Sequence, residues 1–232
     1  MPSAPRTARA LARAQLTRAI LDSAGTQLAE IAPAALSVRA VARDLGMASS
    51  AVYRYFPSRD ALLTALLIEA YDDLGEAVER ADATVDDRAD LDARWHGLCH
   101  AIRDWARAQP HRYALLYGSP VPGYAAPDDT VTSAARVTTA FLHVFRDAQA
   151  AGVRPAGTLP LTEEERVALA PLQAFTAPAV DDTWSIRGLQ AWATVFGTIS
   201  LELFGHMYRG VLDYDAHFAQ LVDQLAADLG LR

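Results

Sequence analysis

Apolar residues recur at the spacing of amphipathic helices through the first part of the chain. Between Thr7 and Ile31 they lie three or four positions apart, which predicts a helix that ends before Pro33. Ser37 stands at an N-cap position before a second, shorter helix, which Gly46 ends. A third short helix is predicted over Ala48–Phe56. The pattern is therefore helix, tight glycine turn, helix.

A longer helix is predicted from Ser58 to near Val85, apolar in its first half and acidic in its second. It links a small basic domain to a larger acidic one, and we place the domains at residues 1–60 and 61–232. Five further helices are predicted over Leu91–Gln109, Thr130–Ala151, Thr162–Ala174, Ser185–Tyr208 and Asp215–Leu229. The stretches Tyr117–Asp128 and Gly152–Pro160 are predicted loops. No segment favours a strand, so the expected fold class is all-α.

Composition and charge narrow the class of protein. With 51% hydrophobic and 21% charged residues, the chain is expected to form a folded core rather than a disordered or collagen-like structure. Residues 1–70 carry eight Arg and five acidic residues, whereas the remainder carries 13 Arg and 23 acidic residues. A basic end on an acidic protein favours an anionic partner. The single cysteine and the lack of a membrane-length apolar run favour a cytoplasmic protein without membrane contact.

The outer face of the third predicted helix combines hydroxyl, aromatic and cationic groups. Ser49 and Ser50 open the helix, and Tyr53 and Arg54 follow on its exposed side. The apolar residues expected to hold both short helices on the first are Val41, Leu45, Met47, Val52 and Phe56. Such a helix-turn-helix lays its second helix in the major groove, so double-stranded DNA is the expected partner.

The segments Leu36–Met47 and Val52–Leu63 carry a family resemblance. From about Ala19 to Leu67 the chain resembles the DNA-binding domain of TetR-family transcriptional regulators. The resemblance implies that four residues face base edges: Arg39, Ser49, Ser50 and Arg54. It implies that three grip phosphates: Tyr53, Tyr55 and Arg59. Ala48 departs from the Ser or Thr that usually caps this helix, and we expect Ser49 to take over the cap.

The larger domain shows a fainter resemblance over about residues 91–208. It is similar to one subclass of TetR-family C-terminal domains in which Trp precedes a His-Gly pair, with Phe196 here in place of the histidine. The residues that carry the likeness are Trp95, Trp105, Pro110, Tyr113, Gly118-Ser119-Pro120 and the stretch from Trp192 to Gly197. The resemblance implies a domain that senses a ligand and dimerises.

Aromatic residues of this domain are candidates for a ligand pocket. The candidates are Trp105, Tyr113, Tyr117, Phe141, Phe145, Phe175 and Trp192. We favour Trp105, Tyr113 and Tyr117, because the adjacent Pro/Gly-rich loop is placed to gate entry. A dry core made of the same residues is the alternative.

Two late helices have more apolar surface than one flank of a monomer needs. A ridge on the first contains small residues that let another helix approach: Leu189, Ala193, Gly197, Leu201 and Gly205. The second adds Phe218, Leu221, Val222, Leu225 and Leu229. Two such helices from each of two chains predict a four-helix dimer interface. We assign all of these residues except Leu229 to the contact between the chains. Core helices of a monomer are the alternative.

Two groups of residues resemble metal or catalytic sites. His96, Cys99 and His100 have ligand spacing, but Arg103 and Arg107 on the same helix oppose a cation. The stretch from Asp72 to Glu76 resembles the magnesium box of helical prenyl-diphosphate enzymes, yet no second acidic motif follows it. We therefore expect no metal, no cofactor and no catalytic residue.

These observations predict a homodimeric transcriptional regulator, expected to be a repressor, that binds a palindromic operator. A small apolar or aromatic effector would release it. Two alternatives stay open from the sequence: a DNA-binding regulator controlled by a protein partner, and a helical metal-dependent lyase.

Overall fold

The computed structural model describes residues 8–31, 33–157, 160–176 and 179–232, and this part of the chain contains helices and connecting segments but no strand. The helices are α1 Ala8–Glu30, α2 Val38–Asp44, α3 Ser49–Val52, α4 Arg59–Ala83, α5 Leu91–Ala108, α6 Pro110–Tyr117, α7 Val131–Ala150, α8 Glu163–Ala168, α9 Ala170–Thr176, α10 Asp182–Leu203 and α11 Tyr214–Leu229. The predicted all-α class is confirmed. Thr7 and two residues of the predicted loop Gly152–Pro160 lie outside the described residues. Within the described ranges, no helix is both long enough and apolar enough to cross a membrane.

Two helices differ from the prediction because of proline. The predicted helix Thr162–Ala174 is split into α8 and α9 at Leu169. Pro171 has no N–H to donate to the carbonyl four residues earlier, so a single helix cannot run through it. Helix α6 was not predicted, because the predicted helix Leu91–Gln109 ends before Pro110 and no helix was assigned between it and the loop from Tyr117. Pro110 occupies the first helical position, where its missing N–H has no helical partner in any case.

Two predicted helices are wrong in length. The predicted helix Ala48–Phe56 is α-helical only over Ser49–Val52, and the next three residues form turns. The predicted helix Ser185–Tyr208 begins earlier, where the Asp181 carboxylate accepts a hydrogen bond from the Trp184 N–H, and it ends at Leu203. Gly205 has a φ of 77°, a left-handed conformation that ends the helix.

Backbone contacts divide the chain into two compact units. The N-terminal unit comprises the described residues of Met1–Tyr71 together with His111–Thr132, and the C-terminal unit comprises those of Asp72–Pro110 together with Ser133–Arg232. The boundary lies inside α4, which is continuous through it. The functional division between residues 1–60 and 61–232 stays a prediction.

The N-terminal unit packs α1 to α4 around one apolar core. Its buried residues include Ile20, Val41, Val52, Leu62 and Leu63. The predicted N-cap at Ser37 is confirmed, since its hydroxyl accepts from the Ala40 N–H. Gly46 turns the chain between α2 and α3 with a φ of 64°, a left-handed conformation that favours glycine.

The C-terminal unit is built from α5, α7, α10 and α11 around large aromatic side chains. Trp95 is fully buried, and its Nε1–H donates to the Val222 carbonyl oxygen at 3.1 Å, which ties α5 to α11. Its ring lies 5.4 Å from that of Phe141 on α7. The unit therefore has a core of its own.

A buried arginine joins three helices of the C-terminal unit. Arg94 on α5 is 1% exposed, and it donates to Asp82 at the end of α4 and to Asp147 on α7, both at 2.8 Å. Burial raises the pKa of each carboxyl, but hydrogen bonds from Arg94 and from Arg88 or Arg146 outweigh it, so both pKa values lie below the ordinary value. The ion pairs therefore stabilise the fold above the ordinary pKa of an aspartate and are lost as the pH falls below it.

We predict that Arg94→Met lowers the free energy of unfolding by about 3 kcal/mol at neutral pH, because it leaves two partly buried carboxylates without their partner. The loss of stability between about pH 6 and about pH 3 should shrink, since the two carboxyl pKa values return toward the unfolded ones. Urea denaturation followed by circular dichroism at several pH values measures both effects.

Arg146→Met is the matched control. Arg146 contacts the same Asp147, but its side chain is 53% exposed, so its loss should cost less than about 1 kcal/mol. Equal destabilisation by the two variants would contradict the structural role assigned to Arg94.

Candidate nucleic-acid interface and apolar cavity

The glycine turn presents a polar and cationic face on α2, α3 and the turns that follow. Arg39, Ser50, Tyr53 and Arg54 are exposed on it, while Val52 beneath them is fully buried. The structure thus brings four of the predicted DNA-contacting residues together on one face. Exposed arginine, tyrosine and serine side chains supply the donors that contact phosphates and base edges.

Helix α3 has no side-chain cap. Its N-cap residue is Ala48, which has extended backbone geometry (φ −68°, ψ 138°) and no oxygen to accept a hydrogen bond. Ser49 is the first helical residue and is half-buried, so it does not take over the cap as the sequence led us to expect. The base contact predicted for Ser49 stays a prediction.

Two predicted phosphate contacts are engaged within the N-terminal unit. Arg59 donates from Nη2 to the carbonyl oxygens of Pro33 and Ala34 at 3.0 and 2.8 Å, which fixes the connection before α2 against the start of α4. The guanidinium of Arg13 lies 5.1 Å from the ring centre of Tyr55. Arg59 and Tyr55 therefore each have a contact within the protein, and the phosphate contacts predicted for them stay predictions.

The C-terminal unit contains an apolar cavity of about 200 Å³. Helices α7, α9 and α10 line it, with Thr138, Phe141, Leu142, Phe145, Leu172, Thr176, Trp184, Ser185, Gly188, Leu189 and Trp192. Leu189 is also exposed, so the cavity reaches the surface along α10. Aromatic walls with a few hydroxyl groups are typical of small-molecule sites.

The structure separates the predicted pocket residues. Phe141, Phe145 and Trp192 line the apolar cavity, but the other four predicted residues do not. Trp105 is buried elsewhere in the unit and donates to Asp73 at 3.0 Å, and Phe175 is exposed. The remaining two, Tyr113 and Tyr117, belong to the N-terminal unit.

The Pro/Gly-rich loop after Tyr117 belongs to the N-terminal unit. Its residues and those of α4 and α6 line a separate crevice of about 270 Å³. The Tyr124 hydroxyl lies 2.9 Å from that of Thr64 on α4. The gate expected from the sequence stays a prediction.

Several lining residues were missed from the sequence. Trp184 was missed because the predicted helix begins at Ser185, three residues after the true start at Asp182. The aspartate pair before it, Asp181 and Asp182, is the signal for the true start, since Asp is a preferred N-cap residue. Thr176 was missed because no sequence pattern shows which face of α9 meets α10.

One arginine of α7 grips α4 within the C-terminal unit. Arg136 donates from Nε and Nη2 to the Glu79 carboxylate at 2.8 and 2.7 Å, and this hydrogen bond lowers the Glu79 pKa. Its Nη1 donates to the Asp72 backbone and side-chain oxygens at 2.9 and 3.1 Å. A Cβ added at Gly75 would lie 2.8 Å from the Arg136 side chain, so the two helices approach at a glycine.

The predicted dimer residues fall into two groups. Leu189, Ala193 and Leu201 are exposed and Gly197 is half-buried, so the ridge on α10 faces outward. Gly205 is also exposed but lies after the end of α10, so the predicted ridge is one turn shorter. Leu221 and Leu225 on α11 are half-buried. The two others, Phe218 and Val222, are fully buried in the core of the chain, where a partner cannot reach them in this conformation.

The groups that resembled a metal site have other contacts. His96 lies 2.9 Å from Asp223, and Cys99 is fully buried, which raises the pKa of its thiol. In the acidic stretch, Asp72 binds Arg136 and Glu76 binds Arg80. Among the described residues, no three His, Cys, Asp or Glu side chains are grouped to hold a metal ion.

Comparisons with known proteins agree with the fold and the helix-turn-helix. The sequence family described as "Bacterial regulatory proteins, tetR family" matches residues 20–66, and the one described as "Tetracyclin repressor-like, C-terminal domain" matches residues 95–225. The chain is 44% identical over 229 residues to HTH-type transcriptional regulator Rv1816 of Mycobacterium tuberculosis, covering 93% of this chain and 94% of the relative.

Two further proteins extend the comparison. HTH-type transcriptional repressor LfrR of Mycolicibacterium smegmatis is 45% identical over 73 residues, which cover 32% of this chain and 38% of LfrR. The crystal structure of a regulatory protein designated SCO4313 superposes with a TM-score of 0.77 at 32% identity, over 97% of this chain and all of the other. The chain therefore belongs to the TetR family: it is a transcriptional regulator with a helix-turn-helix DNA-binding domain and a helical C-terminal domain, and not an enzyme.

Proposed function

We propose that this regulator is a cytoplasmic homodimeric repressor that leaves a palindromic operator when a small apolar or aromatic molecule enters the apolar cavity. One observation carries the proposal: α7 lines the cavity and also grips α4 through Arg136. Helix α4 continues into the N-terminal unit that holds the helix-turn-helix. Helix α7 of the cavity wall thus contacts the helix that continues into the DNA-binding unit. Residues 1–60 would bind DNA, and residues 61–232 would bind the effector and dimerise.

The proposed contact with DNA uses the exposed face of α2 and α3. Arg39, Ser50 and Arg54 would read base edges in the major groove, with Tyr53 on a phosphate. Ser49, Tyr55 and Arg59 are proposed with them, at the margin of this face. Specificity would come mainly from Arg54, because a guanidinium donates to guanine through two hydrogen bonds.

The proposed dimer uses the ridge on α10 together with Leu221 and Leu225 of α11. Its outward side chains are apolar, and Gly197 allows a partner helix to come close. A twofold dimer would place two recognition helices on half-sites about 34 to 36 Å apart, or a multiple of that spacing. We leave Phe218 and Val222 out of this surface, because they lie in the core.

The proposed release is a shift of α7 that α4 must follow. An effector that fills the cavity presses on Phe141 and Phe145 of α7, and Arg136 transfers the displacement to Asp72 and Glu79. The two recognition helices would then no longer match successive major grooves. The effector shifts the equilibrium between the two conformations only by the difference between its affinities for the released and the operator-bound conformation.

The sign of regulation rests on simple steric blocking. A dimer seated on an operator excludes other proteins from that stretch of DNA, and LfrR, a repressor by its name, is similar over its matched segment. The direct test is to select bound duplexes from a random pool, place the selected site before a reporter gene, and screen small neutral aromatic compounds for release. If the protein binds the operator but no compound releases it, the hypothesis of a small-molecule effector is replaced by that of control by a protein partner.

We predict that Arg54→Ala weakens binding to the selected duplex by about 1 to 3 kcal/mol and relaxes one base position, because a base contact is lost. Binding to random DNA should change far less. Affinities for both duplexes at one fixed salt concentration give the answer.

Arg43→Ala is the control for charge. Arg43 is also exposed on α2 but is not a predicted contact, so the ratio between selected and random duplex should not change. If Arg54→Ala weakens both duplexes equally, Arg54 does not read bases.

We predict that the wild type has twice the 25.0 kDa mass of the chain in solution and that Gly197→Arg has the mass of one chain. A Cβ at Gly197 meets no atom within 4 Å in the chain itself, so the variant should fold while the arginine obstructs a partner helix. Light scattering measures the mass. Gly25→Arg, an equally open position in α1, should stay dimeric; a dimeric Gly197→Arg would move the interface elsewhere.

We predict that Arg136→Ala keeps both operator and effector affinity but lowers the effector's influence on operator binding by about tenfold, since typical coupling energies are a few kcal/mol. Operator affinity is measured with and without a compound from the release screen. Arg146→Ala, which removes an exposed arginine of the same helix, should respond like the wild type. Unchanged release in Arg136→Ala would exclude this contact as the link.

A further inference from the structure

One residue that lines the apolar cavity carries a buried hydrogen-bond donor with no partner among the described residues. Trp184, at the start of α10, is fully buried and lines the cavity, with its ring stacked 5.3 Å from that of Phe145. Its Nε1 is buried, and no described residue accepts a hydrogen bond from it. Buried donors in folded proteins are almost always paired, so this one calls for a partner.

The other buried tryptophans of this unit show the usual arrangement. Trp95 donates to the Val222 carbonyl oxygen at 3.1 Å, and Trp105 donates to the Asp73 carboxylate at 3.0 Å. Both indoles are satisfied by the protein away from the cavity. Trp184 differs from them in two respects that matter for a ligand, because the residue lines the cavity and its donor has no acceptor in the described chain.

The two buried hydroxyl groups of the cavity are already committed. Thr176 and Ser185 lie with their hydroxyl oxygens 2.6 Å apart. The Ser185 hydroxyl donates to the Asp181 carbonyl oxygen at 3.0 Å, and Thr176 has both Ser185 and the Leu172 carbonyl oxygen as acceptors for its single proton. Their protons are therefore used inside the protein, whereas the buried Trp184 N–H has no acceptor among the described residues.

We propose that the cavity selects an uncharged molecule of one or two rings that carries a hydrogen-bond acceptor, and that Trp184 Nε1–H donates to this acceptor. The inference rests on the proposed function and adds the chemical class of the effector and a residue that determines specificity. The acceptor is a carbonyl, ether or aromatic nitrogen atom, since each presents a lone pair without a charge.

Size and charge set the remaining limits. A dry cavity of about 150 Å³ holds benzene, so about 200 Å³ holds a single substituted ring or a compact bicyclic molecule. All eleven lining side chains are uncharged. A charged ligand would lose its hydration without gaining a partner, and it is therefore excluded.

The test compares two probes of the same shape, indan-1-one, which has a ketone oxygen, and indane, which does not. Trp184→Phe keeps an aromatic ring on Phe145 but removes the N–H. We expect this variant to bind indan-1-one about tenfold more weakly than the wild type does, the effect of losing one hydrogen bond from a buried site. Its affinity for indane should change less than about threefold, since indane makes no such bond.

Two variants serve as controls for the cavity itself. Thr138→Val removes a hydroxyl from the cavity wall at nearly constant shape, and Trp192→Phe removes the other indole of the wall. Both should affect indan-1-one and indane alike. Loss of the ketone preference in either of them, and not in Trp184→Phe, would assign the donor to another residue and overturn the inference.

A measurement on the unaltered protein removes any dependence on the folding of the variant. The chain has four tryptophans, so protein with ¹⁵N-labelled indoles gives four indole N–H signals. We expect indan-1-one to move the proton chemical shift of one indole signal strongly downfield, because the N–H forms a new hydrogen bond. Indane should change the chemical shift of the same signal only slightly. The signal is assigned by its absence from Trp184→Phe.

The outcomes separate this inference from the proposed function. If both probes bind but no indole signal distinguishes them, the cavity still takes apolar molecules and the role of Trp184 falls. If neither probe binds the wild type, both the selectivity and the proposed effector cavity are overturned. Release of the selected operator by indan-1-one, and weaker release by indane at equal concentration, is the result that supports both.

Discussion

The continuity of α4 is the constraint on which the rest of the structure depends. Its 25 residues form one unbroken run of backbone hydrogen bonds, about 37 Å long at 1.5 Å per residue. The first half belongs to the N-terminal unit and the second to the C-terminal unit. The helix contains no proline, so each of its residues has a backbone N–H that can take part in this run.

Both halves of this helix combine apolar burial with ion pairs. In the N-terminal unit, Leu62, Leu63 and Leu66 lie in the core, and Arg18 and Arg112 bind Glu69 of the same helix. In the C-terminal unit, Leu74 and Val78 are fully buried, and arginines bind the helix: Arg136 at Asp72 and Glu79, and Arg94 at Asp82. Apolar burial has little directional preference, whereas hydrogen-bonded ion pairs fix both position and rotation, so each half has a defined setting in its own unit.

The sequence was most informative where local chemistry decides the structure. Ser37, Gly46 and the apolar positions around Val41 and Val52 predicted the two short helices and their core face, because capping and left-handed turns depend on residues only a few positions apart. The effects of Pro110, which begins α6, and of Pro171, near which one predicted helix is split, were not predicted. Proline begins one helix and interrupts another according to its position in the turn.

The cavity could be predicted only in part. Helical spacing identified Phe141, Phe145 and Trp192 as apolar, but the same pattern chose Trp105 and Tyr113, which pack elsewhere. It also placed Phe218 and Val222 on an outer surface when they fill the core. Periodicity shows that a helix has an apolar face, whereas the partner of that face is set by contacts between residues far apart in the chain.

The close approach at Gly75 has a consequence for the evolution of this regulator. Any residue other than glycine there would place a Cβ against Arg136, and the long arginine side chain would have to move off α4. On the proposed mechanism, such a substitution would permanently have the effect that an effector has only while it is bound. A single codon change outside both the DNA-binding face and the cavity lining would then leave the controlled genes switched on whatever the chemical surroundings, a short genetic route by which a lineage under steady chemical exposure escapes its own repression.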